Sequence, residues 1–149
     1  MEGKIFLVGS DNELLPMKQE TYASEADLQH ILEKHPDLLA GDQIDPDSPR
    51  RWLHVSRETG VPAADDAGSR WSVDHLFLDQ DGVPTLVEVK RSTDTRIRRE
   101  VVGQLLEYAS HAVSYWDVND VQRSYESACE TDGEDPEEKI FALLGEDEE

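Results

Sequence analysis

The chain has 149 residues, 37% of them hydrophobic and 32% charged, and carries a formal net charge of −20. That length allows one domain with a core but not two comfortable ones, and so high a charge implies that part of it is solvated. No run approaches the roughly 18 apolar residues of a membrane span. The opening apolar stretch is too short for a secretory signal. A single cysteine, Cys129, excludes an internal disulfide and makes a reducing cytoplasm the expected compartment.

In chain order, residues 1–9 read as an edge strand. Ser24 predicts a helix N-cap, with Asp27 in a capping-box position three residues on. Leu28, Ile31 and Leu32 then fall at helical spacing until His35-Pro36 ends the run. Residues 41–49, rich in Asp, Pro and Ser, read as loop. Strands are expected over 51–57 and 71–78. The second runs through the turn signal Asp79-Gln80-Asp81-Gly82 into a third strand over 85–90, and the two form an antiparallel hairpin. A second helix follows over 95–112, where Ile97, Val101, Leu105, Tyr108 and Ala112 make a stripe at spacings of three and four. A weaker helical stretch over 120–128, an acidic linker over 130–135 and a short helix over 136–144, capped by Asp135, come last.

The charge is uneven. From residue 113 onward 13 acids face only Arg123 and Lys139, so this stretch carries −11 of the −20. Residues 1–112 are therefore read as the core domain and 113–149 as an acidic extension, helical or partly disordered. Between Lys90 and Arg99 the sign reverses, with Lys90, Arg91, Arg96, Arg98 and Arg99 against Asp94 alone. The sum predicts repulsion from nucleic acid and anionic membranes; the basic strip offers phosphate contacts.

The segment that carries chemistry is Val73-Asp74, thirteen further residues, then Glu88-Val89-Lys90. Alternate strand residues share a face, so Glu88 and Lys90 project together while Val87 and Val89 turn away. The hairpin brings Asp74 back beside them. Two carboxylates and an ammonium among apolar neighbours cost free energy unless paired or bound to metal. Two carboxylates can hold Mg²⁺ through oxygen and leave room for water and phosphate. The cation activates water, and the lysine orients it or neutralises the phosphate.

On these residues the chain resembles the PD-(D/E)xK nuclease superfamily, with its restriction-endonuclease-like fold. The likeness runs from Glu25 to Ala112 and includes Ser24-Glu25 with Leu28, His35-Pro36-Asp37-Leu38-Leu39, and Gln104-Leu105-Leu106-Glu107-Tyr108. It implies a mixed sheet flanked by helices in an α-β-β-β-α core. It implies Asp74, Glu88 and Lys90 as catalytic residues with Gln104 in support, and Asp74, Glu88 and Glu25 as ligands of Mg²⁺ or Mn²⁺. Arg91, Arg96, Arg98 and Arg99 become DNA contacts. Val73 replaces the motif's proline, and no fourth core strand is evident after Ala112. That gap and the acidic ending lead to the expectation of a longer protein whose later part supplies the strand.

Plainer readings stand beside these. Glu25 is also a first-turn acid favoured by the helix dipole, Gln104 a polar helix-edge residue, and Tyr108 a packing residue. The arginine strip is also a solvated face. Trp52, Trp71 and Trp116 read as core or interface anchors, and the five histidines and Cys129 as structural. The leading function is a metal-dependent deoxyribonuclease of DNA repair or of defence against foreign DNA. The alternative is a catalytically inactive nuclease-like binding or regulatory module; a DNA mimic leaves Lys90 and the arginines without purpose. Expected partners are DNA and the remainder of a longer chain, with a homodimer also allowed and no membrane.

Overall fold

The computed structural model describes residues 5–18, 20, 22–62, 69–91 and 100–145. The chain opens with a two-stranded antiparallel hairpin, β1 (Phe6–Val8) against β2 (Leu14–Pro16). The strand expected at the start is thus present, paired locally rather than with the main sheet. Its apolar side chains, Leu7 and Leu14 among them, stay exposed.

Helix α1 (Glu25–Lys34) starts as the sequence dictates. Ser24 Oγ accepts the Asp27 N–H at 3.1 Å, and the Asp27 carboxylate accepts the Ser24 N–H at 2.9 Å, closing the capping box. Pro36 then opens a single 3₁₀ turn, Pro36–Leu38. The stretch expected to be loop contains one helical turn, α2 (Gly41–Ile44). Glycine is required there, because a Cβ would stand 1.9 Å from the Arg50 carbonyl oxygen.

The main sheet has three strands, β3 (Trp52–Pro62), β4 (Ser69–Asp79) and β5 (Pro84–Val87), in that order. Both pairings are antiparallel, so the sheet expected to be mixed is antiparallel throughout among the described residues. Strands joined in immediate succession pair this way, whereas a parallel neighbour needs a long crossover. The β4–β5 turn is built by Asp79. Its Oδ1 accepts the N–H groups of Asp81 at 3.0 Å and Val83 at 2.8 Å, its Oδ2 meets Arg50 at 3.2 Å, and Gly82 takes φ 73°.

Among the described residues three helices follow: α3 (Val102–Tyr115), α4 (Val118–Asp132) and α5 (Pro136–Leu144). Leu53, Val55 and Leu76 pack against Tyr125 and Cys129 of α4, while Val61 and Val73 meet Tyr108 of α3. Burying each such aliphatic side chain stabilises the fold by about 1.5–3 kcal/mol. The described part of the acidic segment is therefore largely helical, with Tyr125 and Cys129 inward and Glu126, Glu130 and Glu137 outward. The division expected at residue 112 falls inside α3. Trp52 donates to the Leu39 carbonyl at 2.7 Å and Trp116 to that of Gly60 at 3.0 Å, as anchoring residues do; the side chain of Trp71 lies outside the described residues.

Residues alternating with Leu53 and Leu76 face the other way. There the His54 and His75 rings share a hydrogen bond of 3.1 Å beside Phe77. Arg57 reaches Glu33 at 3.3 Å and Gln29 at 3.1 Å, which ties α1 to this face. Among the described residues no helix is long and apolar enough to cross a membrane.

Candidate active site

The last rung of the β4–β5 ladder sets His75 opposite Val87. One further step in that register would set Asp74 opposite Glu88. The ladder stops first, so Glu88-Val89-Lys90, expected inside a strand, lies just beyond β5. Side chains take over where backbone pairing ends. Asp74 Oδ2 accepts the Val89 N–H at 2.7 Å, and Glu25 Oε1 accepts the Arg91 N–H at 2.9 Å.

Glu88 is enclosed, its side chain 3% exposed. Lys90 Nζ stands 2.6 Å from Glu88 Oε1. Gln104 Nε2 reaches the same oxygen at 3.4 Å and also donates to the Tyr108 hydroxyl. Glu88 Oε2 is buried without a hydrogen-bond partner among the described residues. Burial works against the Lys90 ammonium, but the hydrogen bond to Glu88 and the charges of Glu88, Asp74 and Glu25 outweigh it. The Lys90 pKa is held above the ordinary lysine value.

These contacts bring Glu25, Asp74, Glu88, Lys90 and Gln104 to one place from α1, β4, the end of β5 and α3. Arg91 is adjacent and exposed. Arg96, Arg98 and Arg99 lie outside the described residues. Two features escaped the sequence reading. The amides of Val89 and Arg91 have no signature in any residue type. The Tyr108 hydroxyl has a signal in its four-residue spacing from Gln104, though that spacing fits plain packing equally well.

An unpartnered, buried carboxylate oxygen is costly, about 1–3 kcal/mol and more when charged. A hard divalent cation would satisfy it, and the donors here are oxygens. Asp74 and Glu88 fit Mg²⁺ or Mn²⁺ on that ground. Glu25 and Asp74 each give one oxygen to a backbone amide, which leaves the second oxygen of each. Among the described residues no group of three or more His, Cys, Asp and Glu side chains is arranged to hold a metal ion. A cation at this place would thus draw on two protein carboxylates, with water and phosphate oxygens completing its shell.

A cleft of about 1220 Å³ opens elsewhere, lined by His30, Glu33, Arg50, Arg51, His54 and Lys139 among others. None of the five converging residues lines it, and within it Lys139 is paired with Glu134. The geometry around Glu88 is the more informative. No protein-family model matches this chain, and neither the curated proteins nor the solved structures hold a match to it.

Proposed function

We propose that this chain is a metal-dependent nuclease of the PD-(D/E)xK type that hydrolyses DNA phosphodiester bonds, in DNA repair or in defence against foreign DNA. One observation carries the reading: a carboxylate 3% exposed, with one oxygen on Lys90 and the other unpartnered among the described residues, next to the Val89 amide that Asp74 holds. A buried polar atom without a partner calls for an explanation, and a bound ion is one. The order α1, β3, β4, β5, α3 supports the restriction-endonuclease-like core, and the lone Cys129 fits the cytoplasm.

In this reading Asp74 and Glu88 hold the cation, and Gln104, steadied by Tyr108, fixes the Glu88 carboxylate. Bound Mg²⁺ or Mn²⁺ would supply Lewis acidity toward water and the phosphate oxygens. Lys90 keeps its proton at pH 7, because its neighbours raise its pKa. It serves as a fixed positive charge that orients the attacking water or balances the phosphate. Arg91, exposed beside Lys90, contacts the neighbouring backbone phosphate in this reading.

A second reading, an inactive nuclease-like binding module, is favoured by the net charge of −20. Phosphate must approach such a chain against a repulsive field, screened only over about 8 Å at physiological salt. Incubation with linear duplex, nicked and single-stranded DNA in Mg²⁺, Mn²⁺ or EDTA separates the two. Metal-dependent cutting that vanishes in Glu88→Ala and Lys90→Ala establishes the nuclease. Absence of both cutting and Mn²⁺ binding leaves the binding module.

A further inference from the structure

Glu25 and Arg91 stand 66 positions apart in the chain, yet their side chain and backbone are bonded at 2.9 Å. Glu25 is the first residue of α1, and the capping box of Ser24 and Asp27 fixes that turn. Arg91 follows Lys90, past the last rung at Val87. A strand that leaves its ladder loses partners for its N–H groups: the half-buried amide of Val89 must find another, while the exposed amide of Arg91 is open to water and is held by a side chain all the same. Here Val89 finds Asp74 of β4, and Arg91 finds Glu25. Alternate amides of an extended chain face one side, so the start of α1 carries on the edge that β4 gives up. Lys90 lies between the two carboxylate-held amides. Bonds to an ionised acceptor are about twice as strong as neutral ones.

We infer that Glu25 is a positioning residue: by gripping the Arg91 amide it fixes Lys90 over Glu88, and it does not serve as a ligand of the divalent cation. The inference rests on the site reading above and narrows it, assigning the cation to Asp74 and Glu88 alone.

The test uses the whole chain and three variants. Glu25→Ala removes both acceptor and charge, Glu25→Gln keeps a carbonyl acceptor, and Glu88→Gln is the ligand control. Three quantities are read: hydrogen exchange at the Arg91 amide by NMR, Mn²⁺ affinity by paramagnetic titration, and kcat with KM on DNA. In Glu25→Ala, exchange at Arg91 rises about tenfold, the loss of one charge-assisted bond. Its Mn²⁺ affinity stays within about twofold of wild type, as expected when no ligand is removed. Its kcat falls about tenfold or more with KM little changed, the mark of a misplaced catalytic group. Glu25→Gln recovers most of both losses, while Glu88→Gln loses Mn²⁺ binding.

Unchanged exchange at Arg91 in Glu25→Ala, or Mn²⁺ affinity lost as fully as in Glu88→Gln, overturns the inference. If Glu25→Ala does not fold, Glu25→Gln decides alone, since a ligand role demands lost Mn²⁺ affinity and a positioning role does not. If wild type itself neither binds Mn²⁺ nor cuts, the nuclease reading fails. Exchange at Arg91 still decides whether Glu25 holds that amide.

Discussion

Glu88 and Lys90 form an unequal pair: the carboxylate is 3% exposed, the ammonium 26%, and 2.6 Å separates them. The buried partner therefore depends on the exposed one. Among the described residues Lys90→Ala leaves Glu88 with only the longer contact from Gln104 at 3.4 Å, and should cost about 2 kcal/mol, the penalty of a buried charge losing its best partner. Adding Glu88→Gln to Lys90→Ala should recover most of that loss. Urea denaturation of the single and double variants checks it; equal stability of wild type and Lys90→Ala would show the pair to be solvated.

Gly41 and Gly103 should respond in opposite directions to alanine. A Cβ at Gly41 meets the Arg50 carbonyl oxygen at 1.9 Å and its carbonyl carbon at 2.7 Å, both backbone atoms. Gly41→Ala must displace one segment or the other and should cost about 3 kcal/mol or more. Gly103 lies in the first turn of α3 with nothing among the described residues within 4 Å of an added Cβ. Gly103→Ala should stabilise by about 0.5–1 kcal/mol through backbone entropy. Thermal melts of the two variants should move apart.

Asp79 is 6% exposed and accepts two backbone amides as well as Arg50. Asp79→Ala should lose about 2–3 kcal/mol, and Asp79→Asn, which keeps an acceptor oxygen, about half as much. Because this turn sets the register that carries Asp74 past Glu88, Asp79→Ala should also unprotect the Val89 amide. Hydrogen exchange would leave that amide unchanged if the register were fixed elsewhere.

How much of this was legible beforehand depends on the kind of contact. Asp74, Glu88 and Lys90 stand out because charged residues interrupt apolar strands, and the Asp-Gly turn makes their convergence calculable. Ser24 and Asp27 announce their capping box by spacing alone. The grip of Asp74 and Glu25 on backbone amides is invisible in sequence, since every residue but proline carries the same N–H. The α4 packing is hidden differently. Its acids dominate the composition, while Tyr125 and Cys129, one turn apart, are enough to seat it on β3.

The histidine pair makes stability depend on pH. Burial, then the charges of His54 and Arg57, lower the His75 pKa from 6.5 to about 4, and burial also lowers that of His54. The folded state therefore refuses a proton that the unfolded chain accepts between these values. Stability should fall as pH drops from about 6.5 to about 4 and be unaffected by His75 above that window, with a slope approaching about 1.4 kcal/mol per pH unit for one proton. Carboxylates titrate in both proteins, so comparison with His75→Gln isolates the effect. Urea midpoints at pH 7.5 and pH 5 should differ more in wild type than in the variant.

Helix α1 has one buried residue, Leu32, with Leu28 and Ile31 half-buried, and its polar contacts run through Gln29, Glu33 and Glu25. A helix so thinly attached can lift away without melting the sheet beneath it. The site near Lys90 would then loosen at a rate set by the breathing of α1, far faster than global unfolding. Whatever docks against the outer face of α1 would hold that motion shut, and so act on Lys90 from a distance without touching it.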